Sequence, residues 1–363
     1  MEDVVTTGRG FWRDRRVLLT GHTGFKGAWL SLWLGRLGAH VTGFALPSPT
    51  SPNLFTLAAI EGRIDSQLGD VRDPSAVDAV MARSRAEVIF HLAAQALVRG
   101  SYVDPVGTYA ANVMGTAHVL DAARRASGLR AIVVVTSDKC YENREWCWPY
   151  REDEAMGGHD PYSSSKGCAE LVTAAWRRSF FPSDSAHPVG VGSARAGNVI
   201  GGGDWADDRL VPDCMRAFAS GRPVVLRRPA AVRPWQHVLE PLSGYLSLAE
   251  RLSTEPRSFG EAWNFGPAAD DARPVAWVVD RLSTFWGDGA RWESDSASHP
   301  HEAGLLQVDA SKARARLGWT PRLSLEEGLR WTVDWYKRFG AGEDAAALTL
   351  AQIERFECLK HSL

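Results

Sequence analysis

Thr20-Gly21-His22-Thr23-Gly24-Phe25-Lys26-Gly27 is the stretch on which the fold turns. Its three glycines recur every third residue. Such spacing permits a tight turn, a close approach of backbone to phosphate, and close contact between a helix and a strand. The flanks fit that geometry: residues 17–20 are β-rich, and residues 26–37 carry Trp29, Leu30, Trp33 and Leu37 at helical spacing. A helix starting there offers unpaired N–H groups and a partial positive charge to a pyrophosphate. Gly21, Thr23, Gly24, Phe25 and Gly27 are therefore candidates to hold a dinucleotide.

The ribose-reading carboxylate of such a site is expected roughly 20 residues further on. No Asp or Glu occurs between Gly21 and Ile60, and no Arg or Lys stands near Leu46 to hold a 2′-phosphate. Asp70, directly after Gly69, is the acidic candidate for ribose or adenine, with Val71 beside it and Ala93 at the end of a later strand. This pattern leaves NAD and NADP both open.

Outward from the turn, strand candidates at 41–46, 63–68, 88–93 and 131–136 alternate with helix candidates at 74–84, 105–126 and 163–180. The proline-rich residues 47–52 form a loop. Parallel strands need crossover connections, so the alternation predicts an α/β fold, a Rossmann-type doubly wound parallel sheet. Trp29 and Trp33, four apart on one face, are read as helix-to-sheet packing. Beyond Arg195, glycines 201–203 and prolines 212, 223, 229, 234 and 241 break the chain into shorter pieces. A smaller, mostly helical domain is expected there, with a terminal helix near 325–339. The expected division is 1–195 for the cofactor domain, with a segment at about 236–260 returning to it, and 196–363 for the substrate domain.

The chain has 363 residues, 45% apolar and 23% charged, enough for a large core in one or two domains. Its 41 Lys and Arg nearly balance 43 Asp and Glu. That balance argues against nucleic acid or an anionic membrane as partner, since both select basic surfaces. Cys140, Cys147, Cys168, Cys214 and Cys358 show neither a CxxC pair nor zinc spacing, and are expected to be buried thiols of a cytoplasmic protein. His299, His301 and Glu302 cluster without metal-ligand spacing, so no metal is expected. Residues 1–16 lack the apolar core of a signal peptide, and no apolar run approaches the about 20 residues of a membrane helix.

Asp160-Pro-Tyr162-Ser-Ser-Ser-Lys166 sets Tyr162 and Lys166 on one face of a helix. A tyrosine is a poor base at neutral pH. A neighbouring ammonium, aided by a cationic nicotinamide ring, favours the phenolate. Ser137, at the end of the 131–136 strand, is placed to bond the same substrate hydroxyl, and Asp138 and Lys139 follow it directly.

Residues 21–27, His91-Leu-Ala-Ala-Gln95 and the Tyr162/Lys166 pair resemble the extended short-chain dehydrogenase/reductase family. Thr136-Ser-Asp-Lys-Cys-Tyr-Glu-Asn143, Ala196-Gly-Asn-Val-Ile-Gly-Gly-Gly-Asp-Trp205 and Arg233-Pro-Trp-Gln-His-Val238 are narrower. They resemble the CDP-glucose 4,6-dehydratase branch of that family, from about Phe11 to Tyr336. The resemblance implies NAD as cofactor, CDP-glucose as substrate, and three steps. Carbon 4 is oxidised while Tyr162 takes the hydroxyl proton, water is eliminated across carbons 5 and 6, and hydride returns to carbon 6.

Asp138 is then implied as the acid for the departing hydroxyl, for which it must hold a proton. Lys139 stands where most other nucleotide-sugar 4,6-dehydratases carry Glu. It is either the base at carbon 5, for which it must be neutral, or a fixed charge beside the developing enolate. The same resemblance implies Asn198 at the diphosphate, Arg233 at the nucleotide and Arg209 as a further contact. It also implies a homodimer or higher homo-oligomer paired through the 105–126 and 163–180 helices. Ala96 and Gly100 stand where the family commonly shows Pro and Arg, a departure that bears on fine specificity. A nucleotide-sugar 4-epimerase shares the glycine turn, Ser, Tyr and Lys but does not need the Asp138-Lys139 pair. A non-catalytic NAD(P)-sensing regulator typically lacks the Tyr or the Lys.

Overall fold

The computed structural model describes residues 9–182, 188–287, 289–295 and 303–359. His299, His301, Glu302 and the first eight residues lie outside them. Twelve strands are described: β1 (Arg16–Thr20), β2 (His40–Ala45), β3 (Asp65–Leu68), β4 (Val88–His91), β5 (Ala131–Val135), β6 (Gly190–Ala196), β7 (Asn198–Ile200), β8 (Val224–Leu226), β9 (Val232–His237), β10 (Ala262–Phe265), β11 (Ala272–Pro274) and β12 (Trp292–Ser294). Seven of them form the central sheet in the order β10-β6-β5-β4-β1-β2-β3. Every neighbouring pair in it is parallel. Strands β4, β5 and β6 are buried along their whole length, as expected where helices cover both faces. The order reverses between β1 and β4, and sheets of this kind bind ligands in the crevice beyond the strand ends at such a point.

The alternation therefore gives the doubly wound sheet. Trp29 and Trp33 are fully buried in the helix Phe25–Arg36, as packing residues. The helix Pro161–Phe180 starts where it does because Asp160 accepts from Ser163 N at 2.9 Å and Pro161 fills the first helical position. That start turns Tyr162, Lys166 and Glu170 to the buried side.

Other features depart from the expectation. The 105–126 helix is Pro105–Tyr109, a wider π turn at Ala110–Met114, and Gly115–Ala123. In that turn the Asn112 side chain accepts from Gln95 N at 2.8 Å and donates to Ser165 Oγ at 2.8 Å, tying the helix to the cleft wall. A short run such as Ala262–Phe265 carries no period of its own, yet it forms the seventh strand, and the helix Leu239–Thr254 before it packs on β5 and β6. The second half holds the helices Leu210–Ala219, Val275–Trp286 and Leu325–Gly340, the last begun by a Ser324–Glu327 capping box. Small sheets β11-β9-β7 and β12-β8 join them, and a further helix, Ala345–Cys358, follows. The cysteine expectation needs correction: Cys140 and Cys214 are buried, but Cys147 and Cys358 are exposed, lying in a loop and at a helix end. No helix among the described residues is long and apolar enough to cross a membrane.

Candidate active site

A cleft of about 1300 Å³ runs along the carboxyl ends of the strands. This is larger than the roughly 300–1,000 Å³ of a pocket for one small ligand. Its lining brings together all the sequence candidates: Gly21, Thr23, Gly24, Phe25, Gly27, Asp70, Val71 and Ala93 at one end, and Ser137, Asp138, Lys139, Tyr162 and Lys166 in the middle. Asn198 and Arg233 line it further along, and Arg209 lines it near Tyr162 and Lys26.

The end that holds the glycine turn is made of backbone. Gly21 has φ +81°, a conformation that costs a side-chain-bearing residue, and a Cβ at Gly27 would lie 2.1 Å from Gly21 O. Gly24 begins the helix with no side-chain cap, so the first-turn N–H groups face the cleft. Thr23 is held by its Oγ1 donating to Leu46 O at 2.8 Å. The Asp70 carboxylate accepts from Arg72 N at 2.9 Å and Arg72 Nε at 2.8 Å; these bonds, led by the guanidinium, hold it below the usual carboxylate range.

In the middle, Ser137 Oγ donates to Asp138 Oδ1 at 2.9 Å and accepts from Lys139 N at 3.2 Å, which fixes a short turn at the end of β5. Asp138 is buried and its Oδ2 has no partner, so one oxygen remains for a ligand. Lys139 Nζ lies 3.8 Å from Asp138 Oδ1 and is partly open to the cleft. The Lys166 ammonium donates to Val135 O at 3.4 Å. Burial pushes it down to about 8, opposed first by Glu170.

Tyr162 is buried at the centre of the cleft. Burial pushes its phenol up to about 12, and the hydrogen bond with Ser137 and the charge of Arg209 only partly offset this. In the protein alone, desolvation therefore outweighs the neighbouring cations and the phenol stays neutral.

Further along, Asn198 Oδ1 is buried without a partner. Arg209 pairs with the buried Asp204 at 2.9 Å. Arg233 donates to the carbonyls of Val232 at 2.9 Å and Ala303 at 2.5 Å, so its guanidinium reaches the cleft already fixed. Ala96 and Gly100 also line the cleft, beside Gln95.

Lys26 stands inside the glycine motif, where spacing alone gives it no role. It lines the cleft, and burial, with Arg209 and Lys166 nearby, lowers it to about 7. Glu170 and Arg195 form a buried ion pair at 2.9 Å behind the catalytic candidates, from positions that nothing in the spacing connects.

The chain belongs to the NAD dependent epimerase/dehydratase family, whose model matches residues 17–266. It is 52% identical over 350 residues to the CDP-glucose 4,6-dehydratase of Salmonella typhimurium, covering 96% of this chain and 98% of that one. It is 29% identical to the dTDP-glucose 4,6-dehydratase of Streptomyces griseus, over 89% of this chain and 94% of the relative. In fold it is similar to a UDP-glucose 4-epimerase from Thermotoga maritima, with TM-score 0.78, 21% identity, and coverage of 89% of this chain and 99% of that one. NAD is the family's cofactor, and the tight turn at Gly21, closed by Gly27 packed against its backbone, with an uncapped helix start facing the cleft, fits it.

Proposed function

We propose that the chain is a CDP-glucose 4,6-dehydratase, converting CDP-glucose to CDP-4-dehydro-6-deoxyglucose and water. Gly21, Thr23, Gly24, Phe25, Gly27, Asp70, Val71 and Ala93 would hold NAD, with Tyr162 and Lys166 at its nicotinamide. When bound, NAD supplies the hydride acceptor for carbon 4 and the donor for carbon 6. Tyr162, bonded to Ser137, takes the carbon 4 hydroxyl proton as the phenolate, the form that the Lys166 ammonium stabilises, and becomes the neutral phenol. The carbon 4 ketone acidifies the hydrogen on carbon 5. Lys139 takes that proton or stabilises the enolate, and Asp138 gives its proton to the departing carbon 6 hydroxyl. Asn198, Arg209 and Arg233 receive the nucleotide diphosphate.

The observation that carries this reading is the placement of Asp138 and Lys139 in the turn that Ser137 caps, in the same cleft as Tyr162. An acid and a second proton-handling group serve elimination, which epimerisation does not require. The specific sugar nucleotide follows the 52% likeness to the Salmonella enzyme. Incubation with CDP-, TDP-, GDP- and UDP-glucose, followed by mass spectrometry, tests it: loss of one water from CDP-glucose is expected, and an unchanged mass contradicts it.

The proposal extends to a cytoplasmic homodimer. Val106 and Met114 on one helix, Leu171 and Phe180 on another, and Tyr102 and Val103 nearby are exposed apolar residues that a second copy would cover. The division into 1–195, with about 236–260 returning, and 196–363 belongs to the same reading, supported by the packing of Leu239–Thr254 on β5 and β6; β10, in the same central sheet, carries the return on to Phe265.

A further inference from the structure

We propose that Glu170 is a positioning residue for the Tyr162–Lys166 pair. Its buried carboxylate keeps the Lys166 ammonium charged and ties the strand end bearing Ser137 to the helix bearing both. The inference rests on the assignment of Tyr162 and Lys166 as the reacting pair.

Glu170 lies one helical turn beyond Lys166 and is 4% exposed. Its Oε1 accepts from Thr136 Oγ1 at 2.5 Å, the residue immediately before Ser137. Its Oε2 accepts from Ser193 Oγ at 2.7 Å on β6 and from Arg195 Nη2 at 2.9 Å. One carboxylate thus joins the helix to β5 and β6 directly beneath the site. Arg195 in turn donates to Tyr141 OH at 2.7 Å, and Tyr141 donates to Asn264 Oδ1 at 2.8 Å on β10, so the anchor reaches the sheet edge. A surface ion pair would be screened, but this one is buried, and truncating one partner leaves the other uncompensated.

The electrostatic role follows from what surrounds Lys166. Burial works against its charge, and Glu170 is the first group to oppose burial. Cys140 is a buried thiol pushed far up by desolvation, hence neutral, and His91 is pushed down to about 3 and also neutral. Lys26 and Lys166 repel one another. Glu170 itself faces Lys166, Arg195, Arg177 and Cys140. Burial would raise its pKa, but Arg195, Thr136 and Ser193 outweigh that and keep it ionised. Among the described residues that Lys166 faces, Glu170 is the group positioned to supply it with negative charge at neutral pH.

Removing the charge of Glu170 makes Lys166 lose its proton at lower pH. The productive phenolate–ammonium state is then unaffected at acid pH, where Lys166 is protonated in either protein, and depleted at alkaline pH. The test is single-turnover formation of NADH from NAD-loaded enzyme and CDP-glucose, followed by absorbance across pH. Glu170→Gln is expected to match wild type at the acid end and to fall about tenfold below it at the alkaline end, its break about one pH unit lower, in line with a lost opposite charge. Glu170→Asp, which keeps the charge, is expected to show a smaller shift in the same direction.

A uniform rate loss at every pH in Glu170→Gln means a purely structural role and overturns the proposal. If the Gln variant does not fold, the Asp variant decides, and an unmoved break there overturns it. Tyr162→Phe is measured beside them: retained turnover in that variant would sink the assignment of the pair, whereas its inactivity with an unmoved Glu170→Gln profile sinks this inference alone.

Discussion

The two ends of the cleft are built by different means. At the dinucleotide end the surface is backbone: a glycine at φ +81°, a Gly27 with no room for a Cβ, and an uncapped helix start. In the part proposed for the nucleotide sugar it is side chains from scattered segments, with Asn198 on β7, Arg209 before the helix Leu210–Ala219, and Arg233 on β9. The first recognises a group common to many reactions, and its geometry tolerates almost no change. The second is the part proposed to select the substrate, and its side chains can be exchanged one at a time. Between them lies the chemistry, where burial rather than identity decides what each group can do.

Substitutions separate these parts, taken here from the largest expected effect to the smallest. Tyr162→Phe removes the proton acceptor for the carbon 4 hydroxyl and is expected to lower kcat by about 10³-fold, within the range of general-base removal. Steady-state turnover by product mass checks it, with an unchanged melting temperature showing that the fold is kept. Asp138→Asn keeps the shape of the turn but cannot protonate the departing hydroxyl. Overall turnover is expected to fall about 10²-fold while carbon 4 oxidation survives, so absorbance at the NADH band should rise and persist.

Gly27→Ala sharpens the contrast between the ends. Its Cβ would sit 2.1 Å from a backbone oxygen, which cannot rotate aside. Affinity for NAD, measured by calorimetry, is expected to fall about tenfold or more, since roughly 1.4 kcal/mol of misfit suffices for that. Arg233→Ala breaks the other end more gently. KM for CDP-glucose is expected to rise about tenfold with little change in kcat, as for loss of a charged hydrogen bond worth about 1.5–3 kcal/mol. Equal losses in NAD affinity from both substitutions would erase the proposed difference between the ends.

What the sequence makes legible follows the same division. The glycine turn depends on neighbours within one strand–helix connection, so spacing alone reveals it. Tyr162 and Lys166 are four apart on one helix, and helical periodicity puts them together. The Glu170–Arg195 pair joins residues on a helix and a strand, a relation that exists only once β5 and β6 lie side by side. Strand β10 is four residues long and pairs with β6 from far along the chain, so no local pattern marks it. Lys26 is the opposite case. It is visible in the motif, but its direction into the cleft depends on the register of the helix, not on its identity. The neutral state of Tyr162 was likewise out of reach, because desolvation is a property of the packed site.

The most direct test of the central claim is to incubate the protein with CDP-glucose and NAD well below the substrate concentration, and to follow product mass and NADH absorbance together. The account predicts a product lighter by one water, formed in many turnovers per NAD, with no lasting NADH. A product of unchanged mass, or one NADH accumulating for each sugar oxidised, would contradict it.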